Sequence, residues 1–220
     1  MTEALLLPLL SSMLLRQNAA SETQCVYSPE RCEVELELRF LMITLLSLLT
    51  NRFTSRLLNE FEKEYASASP IRDKIPQLCY NYSLPVPDNT TEGQDIQGLL
   101  NMTIGMLVGW SNTLRHVATD TADLESTIKV SDFIYKIRII VSRFTTLSEL
   151  LYDVGSLLKN VHLEFEEDET YPASSALPSL HLLENPSRLA FYHVLLGCLS
   201  YNAENIVNQI KVLKCQLTKC

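Results

Sequence analysis

The stretch CLSYNAENIVNQIKVLKC, residues 198–215, reads as a helix between two cysteines. Traced back to Arg188, its apolar residues fall at Tyr192, Leu196, Leu199, Ala203, Ile206, Ile210 and Leu213, alternating steps of four and three that place them on one helical face. Those side chains account for the inner face. The outer face carries Ser200, Tyr201, Glu204, Asn205, Asn208 and Lys211, is almost free of charge, and poses the functional question.

Three earlier segments share the period. Leu36, Phe40, Ile43, Leu46, Phe53, Leu57 and Phe61 predict a helix from Glu33 to Tyr65, and Leu100, Ile104, Leu107 and Leu114 predict a second from about Asp95 to Ala118. Phe133, Ile137, Ile140, Phe144, Leu147, Leu151, Val154 and Leu158 predict a third from about Thr127 to His162. Residues 66–93 carry Pro70, Pro76, Pro85 and Pro87, and residues 163–187 mix acids, prolines and serines, so both are long crossovers. Only Thr119 to Ser126 is short. Two long returns and one short connection describe an all-α, up-up-down-down four-helix bundle, because parallel neighbours need a return path as long as the helix.

The second helix has no charged residue from Ile96 to Leu114, yet Gln97, Asn101, Thr103, Ser111, Asn112 and Thr113 make it too polar for a membrane span. The net charge of −8, from 18 basic and 26 acidic residues, argues against nucleic acid, whose binding needs clustered Lys and Arg. Lys129, Lys136 and Arg143 do form a basic stripe at heptad spacing, read as a solvated face.

Residues 1–21, MTEALLLPLLSSMLLRQNAAS, predict a secretory signal peptide: an apolar run too short to span a bilayer, then small residues. Its removal leaves residues 22–220 as one domain, secreted and without membrane insertion. Six cysteines on an exported chain imply three disulfides, with intervals of 7, 47, 119, 17 and 5 residues that offer no Cys-x-x-Cys start to a zinc site. Sequons at Asn81, Asn89 and Asn101 predict a glycoprotein. His116, His162, His181 and His193 form no H-E-x-x-H pair and no G-x-S-x-G occurs, so neither catalysis nor a metal or cofactor is expected.

Four stretches carry a specific resemblance: LLSLLTNRFTSRLLNEFEKEYA in the first helix, LLNMTIGMLVGWSNTLRHVAT around Trp110 in the second, YPASSALPSL in the last crossover, and SRLAFYHVLLGC entering the fourth helix. Together they resemble the prolactin and growth hormone family, the long-chain helical cytokines, over nearly all of the mature chain. The resemblance implies disulfides Cys25–Cys32, Cys79–Cys198 and Cys215–Cys220, the first being a prolactin-type feature. It implies a monomer that binds a class I cytokine receptor at the cell surface, chiefly through the outer faces of the first and fourth helices.

The chain departs from the lactogenic pattern where receptor contact is expected. Basic positions of the fourth helix align with Ser200, Tyr201, Glu204 and Asn205, leaving Lys211 with the expected sign, and two histidines of the first helix align with Leu48 and Asn51. Loss of one partner of a desolvated charged pair commonly costs about 2–5 kcal/mol, so the reading is a receptor ligand that is no classical lactogen, of the kind found among placental or decidual prolactin paralogues. Tyr201 is the expected anchor, beside Asn205, Asn208 and Lys211. Asp153 aligns with the small glycine of the family's second receptor face. The rival reading is a secreted binding or matrix-associated protein that uses the basic stripe.

Overall fold

The computed structural model describes residues 29–65, 77–79, 96–122, 130–160 and 185–218. Its four long helices are α1 (Pro29–Tyr65), α2 (Ile96–Ala122), α3 (Val130–Asn160) and α4 (Asn185–Thr218). The expected signal peptide lies outside the described residues.

Cross-helix hydrogen bonds fix the directions. Between α1 and α3, Arg39 meets Asp153, Arg143 meets the carbonyl of Leu49, and Lys136 meets Glu60, so one number rises as the other falls. Ser55 with Ser200 and Glu62 with His193 show the same for α1 and α4. Thr103 with Gln209 and Thr121 with Tyr192 show it for α2 and α4. Thus α1 and α2 run one way and α3 and α4 the other, in antiparallel neighbouring pairs: the up-up-down-down bundle.

The core follows the apolar period. Trp110, Tyr192, Phe40, Phe144 and Phe191 are its largest fully buried side chains, interleaved with Ile43, Leu100, Ile104, Leu107, Leu114, Ile137 and Ile140. Burial of each such side chain contributes about 1.5–3 kcal/mol relative to exposure. Leu36 and Phe53 pack at its margin, only partly buried.

The helix ends differ from the sequence expectation for local reasons. Pro29 and Pro186 stand in the first turns of α1 and α4, where the missing N–H has no intrahelical partner to lose, so each helix starts earlier than apolar period alone suggests. At the end of α2, the hydroxyls of Thr119 and Thr121 donate to the carbonyls of Arg115 and Val117. Thr121 is buried and its hydroxyl lies 2.8 Å from that of Tyr192 on α4. That tertiary contact carries the helix to Ala122 through residues that read locally as a connection. Helix α3 is described over Val130–Asn160, and the few residues by which the expected helix extends farther at each end lie outside the described residues.

Helix α4 is enclosed just beyond its first turns. Residues 191–199 are buried without interruption, as if in the middle of a larger core. The Cys79–Cys198 disulfide, with a Cα–Cα distance of 5.6 Å, ties residues 77–79 of the first crossover to this enclosed stretch. Both cysteines are fully buried.

Candidate functional site: the outer face of α1 and α4

The enclosure of 191–199 leaves the open surface of α4 at its first residues, where Ser187 and Ala190 are exposed, and along its second half. Glu204, Asn208, Lys211 and Cys215 recur there at steps of four and three and are exposed, with Val212 beside them. The register set by Ser55–Ser200 and Glu62–His193 puts Asn51 level with Glu204, and Leu48 level with Val207. The expected contact residues of α1 and α4 therefore share one stretch of the bundle. Leu48 is 44% exposed and Asn51 is half-buried.

Two of these residues are committed within the fold. Tyr201 is half-buried and packs against the core, so much of its ring already has a partner. Asn205 donates from Nδ2 to the carbonyl of Tyr201 at 3.0 Å, bonding its amide back to its own helix. At the inner edge, the Ser55 and Ser200 hydroxyls meet at 3.0 Å. Farther along, buried His193 lies against the Phe61 ring and brings Nε2 within 3.2 Å of Glu62 Oε1. Sequence reasoning named His193 only among histidines without a catalytic motif and did not single out Glu62 or Val212; the burial of one polar contact and the exposure of one valine have no local signature.

On the opposite flank of α1, Arg39 donates to Asp153 at 2.6 Å and to Glu35 at 2.9 Å, so the Asp153 carboxylate is engaged in an ion pair. The basic stripe is engaged as well. Lys136 stands 2.8 Å from both Asp132 and Glu60, whose hydrogen bonds raise its pKa above the usual lysine value. Arg143 donates to the Leu49 carbonyl and covers the Phe53 ring at 4.9 Å. Lys129 lies outside the described residues.

A cleft of about 590 Å³ opens between the end of α1 and the start of α3, lined by Leu57, Phe61, Tyr65 and Phe133, with the Lys136 ion pairs beside it. Among the described residues no group of three or more His, Cys, Asp and Glu side chains could hold a metal ion, and no helix is long and apolar enough to cross a membrane. Asn101 is partly exposed on α2; Asn81 and Asn89 lie outside the described residues. Cys215 is disulfide-bonded. The side chains of Cys25, Cys32 and Cys220 lie outside the described residues.

Four long helices in antiparallel pairs, strapped by a long-range disulfide, make the chain a long-chain four-helix bundle. The profile of the Somatotropin hormone family matches residues 8–220, and the chain belongs to that family. It is similar to Prolactin-5A1 of Rattus norvegicus, 30% identical over 213 residues that cover 96% of this chain and 93% of the relative. The family is hormonal, with no enzymatic activity, and a disulfide in such a chain is consistent with secretion.

Proposed function

We propose that the chain is a secreted glycoprotein ligand of a class I cytokine receptor that does not signal as a classical lactogen. Placental or decidual tissue is the source that the resemblance favours. The docking face is the outer side of α1 with the second half of α4: Leu48, Asn51, Glu204, Asn208 and Lys211, with Tyr201 and Asn205 at its inner edge. One observation carries this reading: Glu204 and Leu48, two of the residues that depart from the lactogenic pattern, are exposed on one stretch of the bundle, with half-buried Asn51 level with Glu204.

Negligible binding to the prolactin receptor ectodomain is expected, measured by surface plasmon resonance on the secreted protein. Nanomolar affinity there would overturn the non-lactogenic part. A screen against cell-surface receptors identifies the positive partner, for which Asn208→Ala and Leu48→Ala should weaken binding by about 1 kcal/mol or more with helicity unchanged. Tyr201→Ala should weaken binding too and also lower stability, because the ring packs on the core. The matrix-associated alternative has less support, since Lys136 and Arg143 are occupied internally. Elution from immobilised heparin well above physiological salt would reinstate it.

A further inference from the structure

Helix α1 is apolar on two sides. Opposite its core face, Val34, Leu38, Leu41, Leu45 and Leu48 follow one another at steps of four and three, and are 66%, 37%, 50%, 45% and 44% exposed. At about 1.5 Å rise per residue the stripe runs roughly 21 Å along the outside of the bundle. A contiguous exposed apolar row of this kind marks an interaction surface rather than scattered surface leucines.

We propose that this stripe is a self-association surface, on which a second copy of the chain docks through its own α1 in antiparallel fashion. The charges at its two ends select that occupant. Glu33 and Glu37 are exposed beside the N-terminal end, and Arg52 and Arg56 are exposed where the line continues beyond Leu48. A two-fold contact pairs each patch with itself, so it is favoured when the patch carries opposite charges at opposite ends. In an antiparallel register with Leu41 against Leu45 and Leu38 against Leu48 of the second copy, the acids of each copy come alongside the arginines of the other. Parallel pairing would instead set acid beside acid and base beside base.

An anionic membrane would favour bases along the whole row, and the acidic end opposes it. Asn101 lies on α2, diagonal to α1, so a glycan there leaves the stripe open. A single helix pair offers less than the roughly 800 Å² per partner of a standard interface, which sets the expected affinity in the micromolar range. The resemblance implies a monomer; the second apolar face is the observation that argues otherwise, and it shares Leu48 with the proposed receptor face, so self-association would cover that end of the face.

The test is sedimentation velocity of the secreted, full-length glycoprotein from about 1 to about 100 µM at low ionic strength. The expected result is a concentration-dependent shift from monomer to dimer. Leu41→Glu with Leu45→Glu should abolish the shift while leaving the circular dichroism spectrum and thermal midpoint unchanged. Glu37→Arg and Arg52→Glu should each weaken association by about tenfold, and the double reversal should regain it. A monomer throughout the range overturns the proposal, as does a double reversal that fails to recover. A stripe variant that lowers the thermal midpoint without altering mass also overturns it, because the chain's own segments would then be what covers the row.

Discussion

Arg39 Nη1 stands 2.6 Å from Asp153 Oδ2, joining α1 to α3. The arginine is nearly buried and the carboxylate is half in water, with side-chain exposures of 9% and 53%. Such a pair contributes less than a buried one, about 1 kcal/mol at most. Asp153→Gly should therefore destabilise the bundle by about 1–2 kcal/mol, combining that loss with the cost of a glycine inside a helix. Urea unfolding measures it; an unchanged midpoint would show that Arg39 gains nothing from Asp153.

The Cys79–Cys198 bond closes a loop of 119 residues. Chain-entropy reasoning puts its effect on the unfolded state at about 5 kcal/mol, an upper figure. Cys79→Ser should thus lower the thermal midpoint far more than Cys25→Ser, which would open only a small terminal loop by the expected pairing. Equal losses in the two variants would contradict that pairing.

Tyr192 predicts behaviour in alkali. Burial pushes its phenol above the ordinary value of 10.0, partly offset by the Thr121 hydroxyl. A raised folded-state value favours the protonated ring, so its contribution is complete below about pH 10 and is lost as pH rises beyond. Lys136, raised from 10.5 by Asp132 and Glu60, acts in the same direction, so neither group gives a pH dependence between about pH 6 and 9. The tyrosinate absorbance missing from Tyr192→Phe should appear in the native parent only above pH 10. Its appearance below pH 10 would contradict a buried, protonated ring.

Glycosidase treatment of the secreted form should reduce its mass, and replacing Asn81, Asn89 and Asn101 together by Gln should abolish that change. A residual N-glycan signal in the triple variant would count against the sequon assignment.

The bundle was legible because period and punctuation agree. Ile137, Phe144, Leu151 and Leu158 lie a heptad apart and all are buried, while the prolines of the crossovers interrupt the apolar period between the long segments. The candidate site was less so. Periodicity picked out Phe40, Ile43 and Leu46 on α1, which are buried, but passed over the second apolar stripe, and only placed neighbours show that Leu41 and Leu45 face outward. Tyr201 reads as an exposed anchor from its helical position, yet its ring turns toward the core. Nor does any local pattern show that Thr103, buried within α2, has its hydroxyl 3.2 Å from Gln209 Oε1 across the bundle.

The division of α4 bears on how such a hormone can diversify. Residues 191–199 are sealed on every side and bolted to the first crossover, so nearly any change there is felt by the whole scaffold. Glu204, Asn208 and Lys211 answer to no packing neighbour of comparable stringency. A gene duplicate can rewrite those positions without endangering the architecture that displays them. The helix thus separates what must be inherited from what is free to drift, and a new recognition specificity can arise by a few substitutions in a block about two turns long rather than by redesign of the protein.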